Sequence, residues 1–143
     1  MSRTAHGRFN ICWCDQACLV VLEDSFNREG VEAMLEGIRA AWQAAGSPTG
    51  WAHVMDLHHW EGGTPDGFAA SHDLLRWVTA HGAQAIVRIH LDSFLARMTE
   101  GRGVFDDIDV PVITVATREE ACEWLQARGI RCDGCALRFA GSR

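Results

Sequence analysis

The sequence predicts a single α/β domain on one mostly parallel sheet that opens with an antiparallel hairpin. Three observations carry this. Strand-like and helix-like periodicities alternate along the chain, the pattern of right-handed crossovers between parallel strands. The first two strand-like runs are separated only by Asp15-Gln16, the spacing of a hairpin. The 143 residues, 48% hydrophobic and 22% charged, suit one ordinary domain with one core.

Residues 1–7 read as a polar tail. Phe9, Ile11 and Trp13 alternate with Arg8, Asn10, Cys12 and Cys14 to make the first strand, and Cys18-Leu19-Val20-Val21-Leu22 makes the second. From Arg28 to Ala45, Val31, Met34, Leu35, Ile38, Trp42 and Ala45 recur at helical spacing on one stripe. Asn27 is placed to cap that helix, and Gly46 with Pro48 stops it. Trp51–Leu57 is expected as a buried strand, followed by a loop over His58–Gly63. Thr64-Pro65-Asp66 opens the next helix, with an N-cap hydroxyl and proline in the first turn, and Gly82 ends it. Ala83–Ile89 is a further strand. Asp92 caps a short helix carrying Phe94, Leu95 and Met98, which Gly101 and Gly103 break. After an acidic loop at Asp106-Asp107-Ile108-Asp109 comes a strand over Val110–Val115, with its proline at the start. Thr117-Arg118-Glu119-Glu120 is a capping box for a last helix buried through Ala121, Trp124 and Leu125 and ended by Gly129. The domain is therefore set at 8–129, and 130–143 reads as a C-terminal tail with a strand-like stretch at 136–140.

Composition narrows the functional classes. A formal net charge of -6 disfavours non-specific binding to nucleic acid or anionic membranes, which needs a basic surface. No run approaches the ~20 apolar residues of a membrane helix, and no signal peptide is expected at the start. A cytoplasmic setting with mostly reduced cysteines is the corresponding expectation. With no tyrosine, tyrosyl acid or radical chemistry is excluded.

The stretch Val54-Met55-Asp56-Leu57-His58-His59-Trp60-Glu61-Gly62-Gly63-Thr64-Pro65 resembles the strand, Asp-Leu, two residues, Trp-Glu-Gly, one residue, Thr-Pro pattern of SpoIIAA-like proteins, which belong to the wider STAS-type group. Ile86–Ile89 and Val110–Leu125 fall where that group has its last strands and helix, so the resemblance covers residues 8–128. It implies a four- or five-stranded sheet with helices mainly on one face, and regulatory protein–protein or small-ligand contacts rather than chemistry. The related SEC14-type architecture carries lipids, which adds a small apolar ligand to what the resemblance implies. Anti-sigma-factor antagonists carry an Asp-Ser-Ser-Gly-Leu motif whose serine is phosphorylated. Here Gly63-Thr64-Pro65-Asp66-Gly67 stands near that place, so Thr64 is the nearest candidate phosphorylation site although the motif is absent.

The candidate binding residues are His58, His59, Trp60, Gly63, Thr64 and Asp66. The histidines follow the carboxyl end of a central strand, where α/β sheets tend to bind ligands, with Trp60 as an apolar wall and Asp56 placed to orient an imidazole. Gly63 and Thr64 lead into a helix N-terminus, whose free N–H groups favour an anion. His53, within the strand, reads as a packed histidine. His58, His59 and His72 lack ligand spacing, so no metal is expected from them. Cys132-Asp133-Gly134-Cys135 is half of a typical zinc site, and with Cys12 and Cys14 it offers a four-thiolate alternative. Ser71 and His72 are adjacent on a helix, about 100° apart, and make no dyad.

No complete catalytic constellation is legible. The expectation is a non-enzymatic STAS-type regulatory or binding module without a cofactor, acting on a protein partner or small ligand, with a homodimer left open. The alternatives are a carrier of a small apolar ligand or lipid and a zinc-binding or thiol-redox protein.

Overall fold

The computed structural model describes residues 4–132. Cys135 and the strand-like stretch at 136–140 lie outside the described residues. The elements are β1 (Arg8–Cys14), β2 (Ala17–Phe26), α1 (Arg28–Ala44), β3 (Trp51–Gly63), α2 (Pro65–Ala80), β4 (Ala83–Ile89), α3 (Ser93–Gly101), β5 (Val112–Val115) and α4 (Arg118–Ala127). They form one five-stranded sheet in the order β1-β2-β3-β4-β5. β1 and β2 are antiparallel, and every later neighbour is parallel. The hairpin turns on Asp15 at φ 52°, a left-handed conformation that aspartate tolerates.

Three boundaries differ from the sequence expectation. β2 continues to Phe26, and β3 runs on through the expected loop to Gly63. The two extend together: Glu23 pairs with His59, Asp24 with Trp60 and Phe26 with Gly63, across two register shifts. Periodicity misses this because bulges break the alternation that signals a strand. β5 begins at Val112 rather than Val110. Pro111 has no N–H for the ladder, although its carbonyl accepts from Ile86 N at 2.9 Å.

The sheet buries both faces. On the front, α1 and α2 cover Cys18, Val20, Leu22, Trp51 and Ile86. On the back, Leu19, Val54, Ala85 and Val87 pack with Ala121, Cys122 and Leu125 of α4. Ile130 and Cys132 follow α4 into the same back layer, and the Cys132 Sγ lies 2.6 Å from the Cys122 Sγ. Three helices thus share the front, while α4 stands behind.

The predicted caps are all used. Asn27 accepts from Gly30 N at 2.9 Å, Thr64 from Gly67 N, Asp92 from Phe94 N and Thr117 from Glu120 N. In the capping box of α4 the Glu120 carboxylate reaches back to the N–H of Ala116, one residue before the cap. At the start of α2, the Phe26 carbonyl accepts from Thr64 N at 3.0 Å. A Cβ on Gly67 would stand 2.6 Å from that same oxygen. Gly67→Ala should therefore destabilise the fold by about 1–3 kcal/mol, the range for overpacking, in urea melts at neutral pH.

His53 is fully buried in β3, edge-on to Trp51 at 6.5 Å, and neither ring nitrogen has a hydrogen-bond partner among the described residues. Burial disfavours the imidazolium and lowers its pKa to about 4. The unfolded chain, titrating near 6.5, then binds the proton first, so stability falls as pH drops from about 6.5 towards 4. Between pH 7 and 5 this site should cost about 2 kcal/mol, and His53→Leu should lose less stability than wild type over that interval in paired melts.

Candidate functional site

The extension of β3 separates two concave features at the carboxyl end of the sheet. One is a polar groove along the strand ends. The other is an apolar cavity between the sheet front and the helices. Trp60, half-buried, borders the cavity and also the outer surface beside His58 and Glu61.

The polar groove is lined by Glu23, Asp56, His58, His59, His90 and Arg118, among others. Its base is a buried ion pair. Arg118 at the first turn of α4 donates to the Asp56 carboxylate through Nε at 2.8 Å and Nη2 at 2.7 Å. The other Asp56 oxygen accepts from His58 N at 3.1 Å. Asp56 is therefore engaged by a guanidinium and a backbone amide, and the expectation that it orients an imidazole is corrected. An arginine paired in this way relays no proton, because guanidinium does not deprotonate in proteins.

The histidines gather differently from the sequence expectation. His58 stacks on His90 with ring centroids 4.2 Å apart and meets His59 edge-on at 4.5 Å. His90 follows β4 at φ 56°, and its N–H bonds to Val115 O. Nothing in its local sequence signals the encounter, which arises because β3 and β4 are neighbours. His72 sits on α2 and bonds through Nε2 to the Asp106 carbonyl at 2.8 Å. No group of three His, Cys, Asp or Glu converges in ligand geometry among the described residues. Of the proposed thiolate set, Cys12 lies half-buried on β1, Cys14 is buried in the back core and held in a disulfide, so it offers no thiolate, and Cys132 packs against Cys122.

Thr64 and Asp66 are occupied locally. The Thr64 hydroxyl donates to Asp66 Oδ1 at 2.5 Å and accepts from Gly67 N at 3.1 Å. A phosphate there would face the Asp66 carboxylate and forfeit the cap, so the immediate surroundings oppose a second negative charge. Gly63 presses its backbone against the Phe26 carbonyl.

The cavity holds about 50 Å³ and is almost wholly apolar. Leu22, Met55 and Arg88 form its floor on the sheet. Phe26, Met34, Phe68 and Leu74 form walls, and Trp60 meets Phe68 edge-on at 6.2 Å. Thr99 of α3 and the following Val104 and Phe105 close the far side. The cavity escaped sequence reading because its lining comes from strands, helices and turns far apart in the chain, most of them resembling ordinary core.

Removing one member of a buried ion pair strands the other charge. Arg118→Met should lower stability by about 3–5 kcal/mol. The double variant Asp56→Leu with Arg118→Met should recover part of that loss, as a double-mutant cycle in urea would read.

No family model and no curated protein matches the chain. Solved structures do. An uncharacterised protein of the DUF3478 family with a SpoIIAA-like fold, from Shewanella loihica PV-4, is similar at a TM-score of 0.57 and 17% identity, covering 87% of this chain and 98% of its own. The protein TM1081 is similar at a TM-score of 0.62 and 12% identity, covering 88% and 94%. The first likeness covers most of this chain, so the chain has a SpoIIAA-like fold.

Proposed function

We propose that this protein is a non-enzymatic STAS-type binding module whose ligand is a small apolar molecule held between the sheet front and α2–α3. The observation that carries this reading is the cavity under Trp60. A packed core leaves few voids larger than a water, and empty cavities of this character are apolar sites that take up apolar molecules. The cavity is small as it stands, so a ligand of several carbons needs one wall to move. α3 is that wall. Among its nine residues only Thr99 is buried, and Phe94 is 57% exposed, so little apolar contact holds it down.

The surface singled out from sequence borders the cavity on another side, at the end of β3 and the start of α2. Gly62, Gly63, Gly67 and Phe68 line the cavity, and Thr64 to Asp66 lie directly outside them. Occupancy would thus be transmitted to the start of α2, where a protein partner can read it. In the polar groove Asp56 is committed to Arg118 and to the His58 amide, which supports a structural role for that carboxylate.

Titration with 1-decanol tests the reading. Binding should change the emission of Trp60, and ligand at a hundred times its Kd should stabilise the fold by about 2.7 kcal/mol, raising the melting temperature by several degrees. Filling the space with Thr99→Phe should abolish both effects. An unchanged melting temperature and emission at saturating decanol would overturn it.

A further inference from the structure

We infer that the ligand of this cavity is an amphiphile with a single negative charge, a medium-chain carboxylate whose head group is received by Arg88. The inference rests on the reading of the cavity as a ligand site and adds the polar end of the ligand.

Arg88 is the next-to-last residue of β4, paired in register with Met55 on β3 and Thr114 on β5. Such a position inside a sheet normally carries an aliphatic residue, as Ile86 does two residues earlier on the same face. Arginine is seldom placed there unless its charge is met. Here it is not. The Nε of Arg88 is buried without a hydrogen-bond partner. The guanidinium lies 4.8 Å over the ring of Phe105, which recovers part of the lost hydration through a cation–π contact. Glu100 is the acid whose field reaches it, yet the two form no ion pair. By contrast Arg8, Arg28, Arg39 and Arg118 each have a carboxylate partner. Burial accordingly pushes the Arg88 pKa down, and the charge of Glu100 offsets this only in part.

A half-buried guanidinium with an unpartnered Nε, on the floor of an apolar cavity, is a receptor for a planar anion. Its fork fits a carboxylate with two parallel hydrogen bonds. A single cation balances a single charge, so a monocarboxylate fits better than a phosphate dianion, which would leave one charge buried and unpaired. The apolar walls of Phe68, Trp60 and Leu74 then take the chain.

The experiment compares decanoate with 1-decanol, both below the concentrations at which they self-associate, by calorimetric titration of wild type and Arg88→Met. A charge-assisted pair contributes roughly ten- to a hundredfold in affinity. Wild type should bind decanoate at least about tenfold more tightly than decanol. Arg88→Met should lose that preference while retaining decanol affinity, which also shows that its cavity has folded. Equal affinities in wild type, or a preference that survives in Arg88→Met, overturn the carboxylate inference and leave the apolar site standing. Binding of neither compound removes both readings.

Discussion

The carbonyl of Phe26 is the point on which this architecture turns. It ends β2 beside the last residue of β3, accepts the amide of Thr64, and sits against the bare backbones of Gly63 and Gly67. The next residue, Asn27, caps α1 and binds the N-terminal segment on its other side, accepting from His6 N and donating to Thr4 O. Two helices therefore start side by side from one knot of backbone hydrogen bonds. Their separation is fixed there by close backbone contacts. The space between α1, α2 and the sheet inherits its width from that knot, which is why the cavity opens beneath Trp60 and not elsewhere.

Local physical chemistry was legible in the sequence wherever it acts over a few residues. The hairpin turn, the four helix caps and the bounds of β4 all follow from short-range signals, and all are present in the structure. What escaped depends on partners far along the chain. Arg118 and Asp56 are 62 residues apart and meet only because α4 folds behind β3. His90 reaches His58 across neighbouring strands. The residues His58–Gly63 look like a loop because two bulges break their alternation, and their strand character exists only through pairing with an equally extended β2. Arg88 is the clearest instance: within the strand pattern it passes for an ordinary polar residue, and its lack of an ion-pair partner among the described residues becomes visible only in three dimensions.

The two concave features at the carboxyl end of the sheet illustrate different ways of spending polar groups. In the groove every strong charge at the base is matched, with Asp56 held by Arg118 and by an amide. In the cavity a guanidinium keeps an unpartnered Nε among apolar walls. Matched pairs fix structure, whereas an unmatched buried group favours whatever molecule completes it. The SpoIIAA-like fold itself says nothing about which applies, since one architecture hosts many roles. The distinction rests on these particular side chains.

The sheet also divides labour between its sides. Behind it, α4 with Ile130 and Cys132 forms a closed layer of small and branched residues that contains no cavity lining. That layer ties all three inner strands together independently of the front. A front wall can accordingly drift in sequence, deepen or change its chemistry while the rear layer keeps the strands in register. Diversification of such a domain would then run through α3 and the residues facing it, leaving the rear as the inherited chassis.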